Sequence, residues 1–209
     1  MRFPGVRWFH SIVSVTNLRP RLPRTTLVLI AAASLLHTSA CHQMTETKPD
    51  HPNIATGISL QDITFRSAAL DRYMPYRVFR PSNPGAKSPL PVVYLLHGAG
   101  DDFRTWSNNT GVSKYAASGL MLVMPEGNLS YYLNAAGAHN ERYEDYMLHD
   151  LIADVESRFP VRRDRAGRGI IGISMGGYAA IYYALSRADL FAFAAAISPA
   201  LDVPSRGFT

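Results

Sequence analysis

Short apolar runs alternate with longer segments of mixed polarity along this chain. Runs of four to eight apolar residues between Gly or Pro are typical of strands that are buried on both faces of a sheet. Two longer segments, residues 58–66 and 72–80, are also candidate strands, separated by residues 68–71. The predicted strands are residues 58–66, 72–80, 91–97, 120–124, 169–173 and 191–198.

The segments between these strands predict helices. The clearest is residues 141–159, where apolar residues recur at every fourth position and Pro160 ends the run. Shorter helices are predicted at residues 112–118 and 178–187. Strands that alternate with helices predict an α/β fold, with a mostly parallel sheet and helices on both of its faces.

The first 40 residues differ in charge from the rest of the chain. The net charge is +5, but this leader contains five Arg and no acidic residue. From Cys41 onward, 16 basic residues balance 16 acidic ones. The basic excess therefore belongs to the leader, and no nucleic-acid partner is expected.

The leader has the pattern of an export signal. Its apolar core, residues 27–36, follows three Arg and is too short to span a bilayer. Ser39 and Ala40 precede Cys41, which resembles a bacterial lipoprotein signal with Cys41 as the lipidated residue. The alternative is ordinary cleavage after Ala40. Both readings predict an exported protein, periplasmic or held at the cell envelope, that contacts the membrane only through the leader or lipidated Cys41.

These features divide the chain into a leader (1–40), a flexible linker (41–57) and a folded domain (58–209). The linker is polar and contains Pro49 and Pro52. Cys41 is the single cysteine of the chain, so no intrachain disulfide is predicted. The domain is long enough to bury one core.

The pattern Gly-x-Ser-x-Gly occurs at Gly172, Ser174 and Gly176, between a predicted strand and a predicted helix. A Ser at a sharp strand-to-helix turn is typical of the nucleophile elbow of serine hydrolases. The turn forces the Ser backbone into a strained conformation, and only residues with a very small side chain fit beside it. A Gly-rich turn with an incidental Ser is the alternative.

A Ser nucleophile also needs hydrogen-bond donors for the oxyanion that forms during attack. In an elbow, the following amide is one donor, here that of Met175, and the second comes from a loop after an earlier strand. The small residues after His97 suit that loop, and we predict the Ala99 amide as the second donor. His97 itself is expected to shape the loop.

Four motifs together resemble the esterase D branch of the α/β-hydrolases, which includes S-formylglutathione hydrolases, feruloyl and acetyl esterases, and mycolyltransferases. The resemblance covers about residues 58–199. The motifs are LLHGAGDD (95–102), MPEGN (124–128) with Tyr131 and Tyr132, the segment 146–161, and GISMGG (172–177).

The resemblance implies a serine carboxylesterase that forms an acyl-enzyme on Ser174. Its substrate would be a small-molecule or carbohydrate-linked ester, and it would need no metal and no organic cofactor. Four residues are implied as pocket lining, with ordinary packing as the alternative for each. They are Trp106, Tyr131, Tyr132 and His139.

The sequence departs from the family after the elbow. The family order is Ser, then Asp or Glu, then His, but residues 175–209 contain Asp189 and Asp202 and no His. We interpret the domain as incomplete at its C-terminal end, with the last strands and the triad acid and base missing. The alternatives are a non-catalytic envelope protein on an esterase-like scaffold, and an acyltransferase of the same fold.

Overall fold

Six strands form one sheet in the computed structural model, which describes residues 49–85, 89–136 and 141–202. The sheet order is β1-β2-β4-β3-β5-β6. Strands β3 to β6 run parallel, whereas β2 is antiparallel to both of its neighbours. The strands are β1 (Ile58–Ser67), β2 (Arg72–Pro81), β3 (Val92–Leu96), β4 (Met121–Pro125), β5 (Arg168–Ile173) and β6 (Phe193–Ile197).

All six predicted strands are confirmed to within two residues at each end. The central strand β3 is apolar throughout because both of its faces are covered. Val92, Tyr94 and Leu96 belong to one hydrophobic cluster. Val93 and Leu95, which point to the other face, belong to a second.

Helices cover both faces of the sheet, as predicted. Helices α4 and α5 contribute to the first cluster, whereas α1 and α2 contribute Trp106 and Ala116 to the second. Helix α1 was not predicted, because its five residues are polar around one Trp. The helices are α1 (Thr105–Asn109), α2 (Ser113–Ala116), α3 (Tyr143–Asp145), α4 (Ile152–Arg158) and α5 (Met175–Ser186).

The predicted helix 141–159 contains a π-helical segment, Tyr146–Leu151, between α3 and α4. Tyr143, Met147, Leu151 and Val155 recur at every fourth residue, and all four are buried. On a regular α-helix, with 3.6 residues per turn, a strict four-residue repeat drifts around the axis. The wider π-turn offsets part of this drift, so all four side chains face the sheet.

The described part of the predicted linker, residues 49–57, is bound to the domain. Arg77 on β2 is 1% exposed, and it contacts Asp50 at 2.7 Å and Asp62 at 2.6 Å. The Asn53 amide donates to the Ser107 carbonyl at 2.8 Å. A buried guanidinium requires such partners, which explains why residues 49–57 lie against the domain rather than forming the predicted flexible linker.

Asp50→Asn is expected to lower the free energy of unfolding at pH 7 by about 1 kcal/mol, because the Asp50 side chain is 38% exposed and water screens part of its interaction with the buried Arg77. Hydrogen bonds from Arg77 lower the pKa of Asp50 below its ordinary value. Because the folded-state pKa is the lower one, ionised Asp50 stabilises the fold above roughly pH 4, and this contribution is lost as the pH falls through the folded-state pKa. Urea unfolding of both proteins at several pH values measures it.

The difference between wild type and Asp50→Asn should shrink from pH 7 toward pH 3, and a constant difference would contradict the assignment. Asp189→Asn is the control. Asp189 is an exposed acid paired with Arg187, and an exposed pair contributes little to stability.

Strand β6 is the last strand on its side of the described sheet. Phe193 is 49% exposed and Ile197 is 46% exposed. Beside them lies an apolar cleft of about 340 Å³, on the sheet face that carries the second cluster.

Among the described helices, none combines the length and the apolar character needed to cross a bilayer.

Candidate active site

Ser174 lies directly between β5 and α5, at the carboxyl end of a central parallel strand. Its backbone has φ 51° and ψ −112°, a positive φ that is uncommon for a residue other than Gly. Its carbonyl accepts the amides of Tyr178 and Ala200, and its amide donates to the Ile197 carbonyl at 2.9 Å. These bonds hold the strained turn that was predicted at Ser174.

Close packing explains the two glycines of the motif. A Cβ atom on Gly172 would lie 2.0 Å from the Gly176 carbonyl oxygen. A Cβ atom on Gly176 would lie 2.5 Å from the Leu96 carbonyl oxygen. Helix α5 therefore starts in contact with β5 and β3, and the elbow tolerates no side chain at either position.

The loop after β3 closes against Ser174. A Cβ atom on Gly98 would lie 3.5 Å from the Ser174 Cβ. The Asp101 amide donates to the Gly98 carbonyl at 3.2 Å, and Gly100 has φ 79°, as in the third position of a type II turn. In such a turn, the Ala99 amide bonds to neither end, and no described residue accepts a hydrogen bond from it.

The Met175 amide is a second donor beside Ser174 for which no described residue is an acceptor. It is the first amide of α5, and the first amides of a helix have no acceptor within the helix. Both predicted oxyanion donors, Ala99 and Met175, thus belong to segments that flank the Ser174 side chain.

His97 is a buried part of this loop. Its Nδ1 donates to the Gly98 carbonyl at 2.8 Å, and its Nε2 lies 2.9 Å from the Gly127 amide nitrogen and 3.3 Å from the Glu126 Oε1. The Gly98 carbonyl and the Ala99 N–H belong to one planar peptide and point in opposite directions. His97 therefore helps to fix the direction of the Ala99 N–H, which agrees with its expected structural role.

His97→Phe is expected to lower the free energy of unfolding by about 1–3 kcal/mol, because the new ring can neither donate to Gly98 nor form a hydrogen bond at the position of Nε2. Urea unfolding measures the change. His149→Phe is the matched control, because His149 is exposed on the π-helical segment, where we expect a change within about 0.5 kcal/mol. Equal effects of the two substitutions would contradict this role of His97.

Glu126 and Tyr132 support the same loop from behind. Burial raises the pKa of Glu126, but the contact with His97 and the amides of Asn128 and Phe103 outweigh it, so the pKa lies below its ordinary value. The Tyr132 hydroxyl accepts the His97 amide at 3.1 Å. Three residues of the following segment have positive φ, namely Asn128 (46°), Tyr131 (54°) and Tyr132 (57°).

Three of the four predicted pocket residues are described, and they lie apart from one another. Tyr131 lies beside α5, with its ring 6.5 Å from that of Tyr178. Tyr132 is completely buried behind the loop, and Trp106 lines the apolar cleft on the opposite sheet face from α5. His139 lies outside the described residues, as do the leader and Cys41. Tyr131 and Trp106 remain predictions for the pocket, whereas Tyr132 exposes no surface to a substrate.

No described His or carboxylate is hydrogen-bonded to the Ser174 hydroxyl. His51 is exposed and contacts the Pro49 carbonyl, and His97 uses both of its ring nitrogens within the loop. Asp189 is paired with Arg187 on the surface. Within the described ranges, His, Cys, Asp and Glu form no cluster of three or more that could hold a metal ion.

Comparisons with known proteins agree with this geometry. The Esterase family model, described as "Putative esterase", matches residues 67–207. The diacylglycerol acyltransferase/mycolyltransferase Ag85B of Mycobacterium avium is 34% identical over 128 residues, which cover 56% of this chain and 38% of that protein.

Two solved structures from Staphylococcus aureus are similar as well. The fluorophosphonate-binding serine hydrolase FphF aligns with a TM-score of 0.62 and 29% identity, covering 70% of this chain and 60% of that one. The S-formylglutathione hydrolase FrmB aligns with a TM-score of 0.62 and 26% identity, covering 71% and 60%. The chain thus spans less than two thirds of each of these relatives. It belongs to the Esterase family, in the esterase D-like branch of the α/β-hydrolase fold.

Proposed function

We propose that the protein is a serine ester hydrolase that acts through an acyl-enzyme on Ser174. The observation that carries this proposal is the strained Ser174 backbone between β5 and α5, beside two amides for which no described residue is an acceptor. The Ser174 oxygen attacks the acyl carbon, and the amides of Ala99 and Met175 stabilise the resulting oxyanion. The alcohol leaves with a proton, and water then releases the acid and restores the hydroxyl.

The attack requires a base that removes the Ser174 proton. We assign this base, and the acid that would orient it, to none of the described residues. The substrate class that we propose is a small-molecule or carbohydrate-linked ester, because the similar proteins include an S-formylglutathione hydrolase and a diacylglycerol acyltransferase. No step of this reaction requires a metal or an organic cofactor.

Covalent labelling of the full chain with a fluorophosphonate tests the proposal. We expect one adduct, located on Ser174 by peptide mass spectrometry and absent from Ser174→Ala. This reaction of Ser174 with the fluorophosphonate is expected only if a base removes the proton of the Ser174 hydroxyl. Absence of an adduct on folded wild-type protein would favour the non-catalytic, esterase-like alternative. An adduct on any other Ser would contradict the assignment of the nucleophile.

Acyl transfer is a second candidate, because the relative from M. avium is named an acyltransferase. The two functions differ only in the acceptor that releases the acyl group, water or another alcohol. Incubation with an activated ester and increasing sugar or glycerol separates them. Hydrolysis alone yields only free acid, whereas an acyltransferase yields the new ester in proportion to the acceptor.

We also propose that the protein is exported and held at the cell envelope. The support is the Arg-rich leader, its ten-residue apolar core and Cys41. Mass spectrometry of the mature N-terminus tests both readings. A diacylated Cys41 supports the lipoprotein, an unmodified N-terminus near Ala40 supports ordinary cleavage, and an intact Met1 would contradict export.

A further inference from the structure

Asp101 lies at the edge of the candidate site. A Cβ atom on Gly98 would lie 3.2 Å from the Asp101 Oδ2 and 3.5 Å from the Ser174 Cβ. The carboxylate and the Ser174 side chain therefore border the same small space, which stays open because residue 98 is Gly. A substituent next to the ester bond of a substrate at Ser174 would therefore lie near this carboxylate.

The Asp101 side chain has no partner among the described residues, although its amide closes the turn with Gly98. The next residue differs, because Asp102 is bound to Arg104 at 2.9 Å. Asp101 is half-buried, so water solvates it only in part. A carboxylate in this position attracts positive charge and hydrogen-bond donors, and it repels anions.

A partly buried charge without a partner is unfavourable unless a ligand supplies one. The turn does not need the Asp101 carboxylate, because only the backbone amide of Asp101 takes part in its hydrogen bond. The loop already provides the Ala99 amide for an oxyanion, and a nearby negative charge opposes that oxyanion. The charge therefore fits a group on the substrate better than it fits the reacting atoms.

We propose that Asp101 is a specificity-determining residue, which selects esters that carry an ammonium or hydroxyl group close to the ester bond and rejects anionic ones. This inference rests on the proposed function of Ser174. It adds the class of substituent that the site prefers, and it assigns Asp101 no role in proton transfer.

The test uses phosphonate probes with one leaving group and four side chains of equal length: alkyl, hydroxyalkyl, aminoalkyl and carboxyalkyl. For each probe, the second-order rate constant of Ser174 labelling is measured on the full chain. We expect the aminoalkyl probe to react about tenfold faster than the alkyl probe, and the carboxyalkyl probe to react most slowly.

Asp101→Asn keeps the backbone turn and the hydrogen-bonding oxygen but removes the charge. We expect the aminoalkyl preference to fall about tenfold in this variant, while the hydroxyalkyl preference survives. Asp101→Ala should lose both preferences. The matched control is Asp71→Asn, which removes the same charge from the turn between β1 and β2, at the opposite edge of the sheet from β5 and β6.

Two different failures are distinguishable. If the alkyl probe fails to label Ser174, the proposed function is overturned and the inference falls with it. If the alkyl probe labels Ser174 but the aminoalkyl to alkyl ratio is equal in wild type, Asp101→Asn and Asp71→Asn, only the role of Asp101 is overturned. Calorimetric binding of an alkyl amide and its aminoalkyl counterpart checks the same preference without any reaction at Ser174.

Discussion

Ala99→Pro is expected to reduce the rate of Ser174 labelling and of ester turnover by about 10²–10³-fold, while the protein stays folded. Ala99 occupies the second position of the turn closed by Gly98 and Asp101. Pro is favoured at this position of a type II turn. A Pro also restricts the backbone conformation of the preceding residue, and Gly98 tolerates this restriction because it has no side chain. The substitution therefore removes the N–H donor and leaves the shape of the loop unchanged.

Three measurements make this prediction specific. The fluorophosphonate labelling rate reports the loss of the oxyanion donor, and urea unfolding reports whether the fold is intact. Ala99→Ser is the control, because it alters the side chain and keeps the amide. An Ala99→Pro protein that is folded and labels at the wild-type rate would show that the second donor lies elsewhere.

Gly172→Ala, the addition of one methyl group, is expected to cost about 3 kcal/mol or more of stability and to abolish labelling of Ser174. The new Cβ atom would lie 2.0 Å from the Gly176 carbonyl oxygen and 2.6 Å from the Gly177 nitrogen. Both are backbone atoms at the start of α5, so the helix itself must move away from β5. Ser174 lies between these two elements and would move with them.

Gly111→Ala is the matched control for this overpacking. No atom lies within 4 Å of a Cβ built on Gly111, and its φ does not require Gly. Loss of a little chain entropy in the unfolded state even predicts a slight stabilisation there. Equal unfolding midpoints for Gly172→Ala and wild type would contradict the close packing of the elbow.

The elements that depend on local pattern were predictable from the sequence. The buried strands are visible in the sequence as continuous apolar runs, and the elbow is visible as Gly at the positions where α5 contacts β5. The order of these elements also predicted that Gly98 and Ala99 would lie at the same end of the sheet as Ser174, because both segments follow strands of a parallel sheet. The structure confirms that approach at Gly98.

Features that depend on long-range packing were not predictable. Tyr132 follows the MPEGN motif beside Tyr131, and no local signal indicates that its ring packs behind His97 while Tyr131 packs on α5. The attachment of residues 49–57 depends on Arg77, and nothing in the sequence distinguishes it from the two other Arg of β2. The unpartnered carboxylate of Asp101 likewise depends on where the turn directs it.

The positive φ angles of Asn128, Tyr131 and Tyr132 have a consequence for how this protein can change over evolutionary time. Each left-handed residue other than Gly costs on the order of 1 kcal/mol, and bulky Tyr residues are unusual there. Replacement by Gly would relieve that strain, but it would remove the rings that support His97 and contact α5. Mutational drift toward a more stable loop is thus opposed by the packing of the site, and lineages that keep the site must retain stability elsewhere to tolerate the strain.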